Sequence, residues 1–332
     1  MGSANNFRAY LVTKTDGEKA TGAIVTRTVN DLPPGDVLIR VAYSSLNYKD
    51  GLSATGSPGV TKNYPHVPGI DAAGEVAESQ DSRYAPGDYV LVTGYDLGAN
   101  TDGGYSEYIR VPGEWVVPLP KNLSLHQCMM IGTAGFTAAI GVSLIQRNGV
   151  LPDSGEVVVT GATGGVGSIA VALLAKLGYR VVASTGKSDA HDFLMQLGAT
   201  RIIDRSEMED ISGRPLLKSV WAGGIDTVGG NTLTTLIKSV NVQGSVAACG
   251  VVAGPKLDLT VFPFILRGVN LLGIDSALWP REPRHEIWRK FASDWKLDVL
   301  ETISQTIVLD DVEEYVGRIL KGKIQGRIVI KM

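Results

Sequence analysis

The chain has 332 residues, 31 Lys and Arg against 34 Asp and Glu, and 44% hydrophobic side chains. This length and balance support two domains with real cores and exclude a disordered chain. A net charge of -3, with no run of basic residues interleaved with aromatics, argues against nucleic acid as a partner.

Cys128 and Cys249 stand far apart without CxxC spacing, and the four histidines are scattered, so neither a disulfide framework nor a metal site is expected. No apolar run reaches the roughly 18 to 20 residues that span a bilayer, and the N-terminus lacks the layout of a signal peptide. The expectation is a cytoplasmic protein without membrane association.

In chain order, the first 125 or so residues read as β-rich. Phe7 to Lys14, Asp36 to Ser44, Gly74 to Ala77 and Asp88 to Val92 are strand patterns between Gly, Pro and Asp turns, which suggests a partly open barrel. Leu125 to Asn148 is an Ala- and Gly-rich helical approach, and from Glu156 strands and helices alternate. Later strands are expected at Gly224 to Val228, Ser245 to Gly250 and Leu271 to Ile274, with helices at Thr232 to Val240 and Arg284 to Trp295. A strand at Thr306 to Leu309, a helix at Val312 to Lys321 capped by Asp310 or Asp311, and a strand at Gly326 to Lys331 close the chain. The cofactor domain is therefore read as an insertion: 1–125 and 300–332 form one domain, 126–299 the other.

The densest signal is Glu156 to Ser168, EVVVTGATGGVGS, which runs on into SIAVALLAKL from Ser168 to Leu177. An apolar strand, a glycine-rich turn and a helix in one stretch make a dinucleotide-binding βαβ unit. Ala162 replaces the first glycine of the usual GxGxxG. Gly164, Gly165 and Gly167 allow a tight turn, let backbone N–H groups approach a pyrophosphate and let the helix lie close to its strand. About 20 residues on, where an NAD-selective enzyme places a carboxylate for the ribose 2′-OH, the chain has Thr185, Gly186 and Lys187. Hydroxyl, backbone N–H and ammonium favour a 2′-phosphate, so the cofactor is read as NADPH. Arg205 supplies a second cation there or stands as a solvated surface charge.

The segments SSLNYKD (44–50), PGIDAAG (68–74), IGTAGFTA (131–138), VTGATGGVGS (159–168), PFILR (263–267), GIDS (273–276) and IQGR (324–327) resemble the zinc-independent branch of the medium-chain dehydrogenase/reductase superfamily. More narrowly, they are similar to the acrylyl-CoA reductase (quinone oxidoreductase-like) family. The resemblance implies a GroES-like β-rich barrel domain, an inserted Rossmann doubly wound parallel sheet, a cleft between them, NADPH, and a homodimer. Zinc enzymes of the superfamily carry a Cys near Asn47 and Gly-His-Glu near Gly69-Ile70-Asp71; these ligands are missing here.

By the same resemblance Tyr48 positions the nicotinamide, with Asn47 and Asp50 beside it and the Thr133 to Thr137 segment lining the cleft. Tyr48 either turns its hydroxyl to the substrate or only fills the seam with its ring, and Asp50 is read first as a loop anchor. The resemblance also places Thr163, Gly164, Gly165 and Val166 on the pyrophosphate, with Thr137, Val251, Ile265, Ser276 and Gln325 along the rest of the cofactor. The loop 93–104 and Ala277 to Pro280 depart from the family pattern, which bears on substrate identity. The implied acceptor is a small enoyl thioester, with an enone or quinone as the alternative and a non-catalytic NADPH-binding sensor as the reading of another class. Arg281, Arg284, Arg289 and Lys290 form a basic cluster that either meets the phosphates of coenzyme A or, more in keeping with such runs, is a solvated helix face.

Overall fold

The computed structural model describes residues 6–15 and 19–332. Its strands are β1 (Asn6–Thr13), β2 (Thr21–Thr28), β3 (Val37–Leu46), β4 (Asp71–Ser79), β5 (Tyr89–Thr93), β6 (Tyr108–Val111) and β7 (Val117–Pro118), then β8 (Glu156–Val159), β9 (Arg180–Thr185), β10 (Arg201–Asp204), β11 (Trp221–Asp226), β12 (Val240–Ala248) and β13 (Asn270–Gly273), and finally β14 (Ser304–Val308) and β15 (Arg327–Lys331). The helices are α1 (Tyr48–Ala54), α2 (Leu125–Arg147), α3 (Gly165–Lys176), α4 (His191–Gln196), α5 (Gly230–Ser239), α6 (Phe262–Arg267), α7 (Arg281–Phe291), α8 (Leu300–Ile303) and α9 (Val312–Leu320).

The chain divides into two compact units. One takes the chain up to Thr133 with Ala277–Ser293 and Leu300–Met332; the other takes Ala134–Ser276 and Asp294–Val299. The segment Ala277–Ser293 thus goes with the barrel, whereas the sequence boundaries put it in 126–299. The reason is Arg284, whose guanidinium is fully buried and bonded to the Thr93 carbonyl at the end of β5.

In the first unit the sheet runs β14-β15-β3-β4-β5-β7, with β6 also on β3, and β1 and β2 form a separate antiparallel pair. Strand β3 is buried on both faces because its side chains alternate between two cores. Leu38 and Leu46 join Phe7, Tyr10, Tyr315 and Ile330, while Val37, Ile39 and Val41 join Val90, Val92 and Ile109. The C-terminal β15 pairs antiparallel with β3, Ile328 opposite Leu46, which seats Arg327 beside the end of β3.

The second unit is a six-stranded sheet in the order β10-β9-β8-β11-β12-β13. All five pairings are parallel. Val157, Val158, Val159, Val181 and Val182 are fully buried, as strands covered on both faces require. The order reverses between β8 and β11, the switch point at which such sheets bind ligands beyond their strand ends.

Helix α2 corrects one expectation. Leu125–Arg147 is long and apolar enough to cross a membrane by length and composition, yet 94% of its most apolar window is buried inside the protein. It is also two helical pieces, because Gly132 has φ 53 and ψ -164.

Candidate functional site

In the first unit, β3 ends in Ser44-Ser45-Leu46 and Asn47 caps α1, whose first residue is the half-buried Tyr48. Short polar side chains at a strand end and helix start hold the orphan backbone groups there. The Asn47 N–H donates to Asp50 Oδ2 at 2.8 Å. The Asn47 amide NH2 bridges Asp71 Oδ2 at 2.8 Å and Asp50 Oδ2 at 3.2 Å, and its oxygen accepts from Arg327 Nη1 at 3.2 Å. Asp71 also accepts from Ser45 Oγ at 2.6 Å, Thr133 Oγ1 at 2.6 Å and the Thr133 N–H at 3.0 Å. The second piece of α2 thereby aims its first N–H at a buried carboxylate, where the helix dipole favours negative charge.

This arrangement explains Gly132. A Cβ there would stand 2.6 Å from Arg327 Nη2 and 2.7 Å from both Asp71 Oδ2 and Ser45 Oγ, and φ 53 itself favours glycine.

Asp50, Asp71 and Arg327 are at most 2% exposed, and Arg327 Nη2 lies 3.8 Å from Asp71 Oδ2. The guanidinium thus faces Asp71 directly and reaches Asp50 only through Asn47. Burial, then the charge of Asp71, pushes Asp50 up to about 7, against the pull of N–H donors from Asn47 and Ile70. Burial and the neighbouring Asp50 likewise push the enclosed Tyr105 hydroxyl well above its ordinary value. Burial pulls Arg327 down while Asp71 and Asp50 push it back.

In the second unit the Gly161–Gly167 turn joins β8 to α3. Gly161 has φ 58, and a Cβ on Gly167 would sit 2.3 Å from the Gly161 carbonyl oxygen, so the helix start is drawn onto the turn. No side chain caps the N-terminus of α3, which leaves a fitting cradle for a pyrophosphate. Thr160 Oγ1, just before the turn, donates to Asp226 Oδ1 at 2.7 Å, and Asp226 also accepts from the Gly229 N–H at 2.7 Å. Burial raises the Asp226 carboxyl, opposed by these bonds.

At the end of β9, Thr185 Oγ1 accepts from the Lys187 N–H at 3.1 Å. A Cβ on Gly186 would fall 2.7 Å from Arg205 Cδ and Nε, which sets Arg205 against this corner. The structure thus brings Thr185, Gly186, Lys187 and Arg205 together, and burial lowers the Lys187 ammonium. The carboxylate of Asp204, opposite Thr185 in the sheet, is turned into its own cap by Ser206.

Thr137 Oγ1 donates to Ser276 Oγ at 2.8 Å, so these two predicted residues also meet. A cavity of about 510 Å³ opens at the ends of β12 and β13 between Ala248, Cys249, Gly250, Gly273, Ile274 and Asp275. Val251 and Ile265 are exposed, and Gln325 is exposed on the first unit.

Sequence reasoning did not single out Asp71, Tyr105 or Arg327 as site residues. Asp71 and Arg327 stood only inside two motif segments, PGIDAAG and IQGR, that come together in three dimensions, and Tyr105 lay in no motif at all. Arg284, read as part of a surface basic cluster, is 0% exposed and bonded to backbone carbonyls, so it does not meet phosphates. Lys290 pairs with Glu286 and Arg281 with Glu282. Among the described residues no group of three or more His, Cys, Asp and Glu is arranged to hold a metal ion.

Residues 33–121 match the family described as Alcohol dehydrogenase GroES-like domain, and residues 165–293 the family described as Zinc-binding dehydrogenase. The putative quinone oxidoreductase YhfP of Bacillus subtilis is 49% identical over 93% of this chain and 94% of its own length. The acrylyl-CoA reductase AcuI of Ruegeria pomeroyi is 46% identical over 98% of each chain. The yhdH oxidoreductase from Salmonella enterica, solved in complex with NADP, superposes with a TM-score of 0.95 at 44% identity, covering 98% of this chain and 99% of its own. The yhfP structure, with NAD bound, gives 0.96 at 47%, covering 99% and 100%. With this similarity along nearly the whole chain, on a GroES-like unit and a Rossmann-type sheet, the protein belongs to the medium-chain dehydrogenase/reductase family, in the group that holds AcuI acrylyl-CoA reductases and YhfP-type quinone oxidoreductases.

Proposed function

We propose that this protein reduces the C=C bond of a small 2-enoyl thioester, acrylyl-CoA to propionyl-CoA, with NADPH and without a metal ion. The likeness to AcuI supports the acceptor. The observation that carries the cofactor is the corner of Thr185, Gly186 and Lys187 with Arg205 against it, which offers a 2′-phosphate two cations and the Thr185 hydroxyl. Bound NADPH supplies the hydride.

That hydride would go to the β-carbon, the π pair would move onto the carbonyl oxygen as an enolate, and the α-carbon would then take a proton from solvent. The protein's part is placement. Asn47, locked by Asp50, Asp71 and Arg327, fixes the start of α1 and with it Tyr48, which holds the reacting end in register. Thr163 to Val166 hold the pyrophosphate at the start of α3, and Thr137, Ser276, Val251, Ile265 and Gln325 follow the rest of the cofactor. Metal independence rests on the donors themselves. Ile70 stands where the zinc enzymes carry His and offers no donor, while Asn47 and the neighbouring Asp71 are engaged by Arg327, Ser45 and Thr133.

The enzyme is read as cytoplasmic and as a homodimer. Strand β13 is the edge of its sheet, and exposed Phe262, Leu266 and Leu271 lie on it or on the helix before it, a surface suited to a second copy. A quinone acceptor is the second reading, favoured by the likeness to YhfP.

The test is initial-rate NADPH oxidation with acrylyl-CoA, crotonyl-CoA and 1,4-benzoquinone side by side, with NADH as control. A kcat/KM highest for acrylyl-CoA and selective for NADPH is expected. Dominance of the quinone would move the assignment to the second reading, and equal use of NADH would remove the 2′-phosphate argument. Absence of turnover with every acceptor would leave the sensor reading.

A further inference from the structure

Strand β5 ends at Thr93, which pairs in register with Asp71 at the start of β4. The loop 94–104 therefore leaves the barrel beside the network that holds Asn47. Both ends of the loop are tied to the segment before Asp71: the Gly94 N–H donates to the Ile70 carbonyl at 2.9 Å, the Gly103 N–H to Val67 at 2.7 Å and the Gly104 N–H to Gly69 at 2.7 Å. Its middle lies against α1, where buried Ser53 donates to the Gly98 carbonyl at 3.2 Å. This loop thus packs on the end of the helix that begins with Tyr48. Its side chains, and those of 277–280, are the ones that depart from the family pattern.

Arg284 ties these two segments together. Its Nη1 donates to the Thr93 carbonyl at 2.7 Å and to Thr93 Oγ1 at 3.3 Å; its Nη2 donates to the Ala277 carbonyl at 2.9 Å and the Trp279 carbonyl at 3.2 Å. The guanidinium carbon stands 4.3 Å from the centre of the Tyr95 ring. That residue has φ 53, its N–H donates to the Ala277 carbonyl at 3.0 Å, and its ring stacks on Trp115 at 5.4 Å.

Burying a guanidinium is expensive, and an apolar residue would anchor α7 at lower cost, as Ile287, Trp288 and Phe291 do on the same face. What the planar fork adds is direction. It holds three carbonyls and one ring from separate segments in a single geometry.

We propose that Arg284 is a positioning residue for acceptor recognition, clamping Thr93, Tyr95 and the 277–279 turn so that loop 94–104 keeps the shape that admits the thioester. The inference rests on the enoyl-thioester reading above. Contacts between such a loop and the thioester lie away from the reacting carbons and act alike on bound substrate and transition state, so their loss appears in KM rather than kcat.

The experiment compares wild type with Arg284→Lys, which keeps charge and stem but loses the fork. Steady-state kinetics are measured with crotonyl-CoA and 1,4-benzoquinone, and NADPH affinity by fluorescence titration. The KM for crotonyl-CoA should rise about tenfold or more, with kcat within about threefold and both the benzoquinone KM and NADPH affinity within about twofold. Tyr95→Leu, at a half-buried loop position, should raise the same KM by a smaller factor, and it carries the test if Arg284→Lys does not fold.

An unchanged thioester KM in a folded variant overturns the proposal. So does a parallel loss of kcat, quinone KM and NADPH affinity, which would mean general loosening. Wild type inactive on every enoyl thioester would remove the substrate reading and the clamp with it, a failure seen before any variant is compared.

Discussion

Replacing Arg327 by methionine should destabilise the barrel unit severely, because the guanidinium answers more charge and more orphan acceptors than any apolar side chain can. The wild-type group is 2% exposed and donates to the Met130 carbonyl at 3.0 Å, the Leu46 carbonyl at 3.2 Å, Asn47 Oδ1 at 3.2 Å and Ser45 Oγ at 2.8 Å, with Asp71 3.8 Å away. Methionine keeps much of the stem's packing and none of these bonds. Removing one partner of a buried ion pair costs about 3–5 kcal/mol, and each carbonyl left without a donor adds about 1–3 kcal/mol if water cannot reach it. These costs overlap, so the expected loss is about 4–6 kcal/mol, a large share of the roughly 5–15 kcal/mol that holds an ordinary domain together. At about 2–4 °C per kcal/mol, the melting temperature falls by about 8 °C or more.

The assay is thermal and guanidinium unfolding of wild type, Arg327→Met, Asp71→Asn and the double variant. The double variant no longer holds the stranded Asp71 charge and should recover a good part of the loss. A single variant within about 1 kcal/mol of wild type would refute the reasoning, as would strict additivity in the cycle, since contacting groups are expected to couple.

Asp50 predicts a pH dependence. Its folded value of about 7 lies above the ordinary carboxylate value, so the folded state keeps a proton that the unfolded chain gives up, and stability from this group falls as pH rises from about 4 to about 7. Asp50→Asn should flatten that decline in melting temperature between pH 5 and 8; an unchanged slope would place the titration elsewhere. Gly132→Ala meets both the positive φ and the close approach of Arg327, Asp71 and Ser45, so about 2–4 kcal/mol should be lost in denaturant unfolding, and a neutral result would mean the kink is not needed. Lys187→Ala should raise the KM for NADPH about tenfold, the equivalent of roughly 1.4 kcal/mol, with little change for NADH; equal effects on both would disconnect Lys187 from the 2′-phosphate. Tyr48→Phe should lower kcat by less than about tenfold if the ring positions and solvent protonates, and a loss beyond about a hundredfold would instead make the hydroxyl the acid.

The cofactor half of the protein was legible because its signals are contiguous. Strand, glycine turn and helix follow one another from Glu156, and residues 185–187 follow directly on the next strand, so local periodicity and spacing were enough. Much of the barrel's strand series was legible for the same reason; β2, whose half-buried pattern lacks clean alternation, and the short β6 and β7 were missed, as was α1, which is too short for helical periodicity. Arg284 did carry a readable sign, since it shares a spacing of three, four and seven with Ile287, Trp288 and Phe291, and that stripe marks a buried face. The neighbouring charges in the same helix masked it.

Local pattern was enough to read the strand, glycine turn and helix of the Rossmann-type unit and the residues at the end of its second strand, because short-range backbone geometry decides both. Folding in three dimensions was needed to bring Asn47, Asp50, Asp71 and Arg327 into one buried network, in which a guanidinium faces Asp71 and Asn47 bridges both carboxylates. Desolvation and pairwise charge depend on distances between residues far apart in the chain, and no local pattern encodes them.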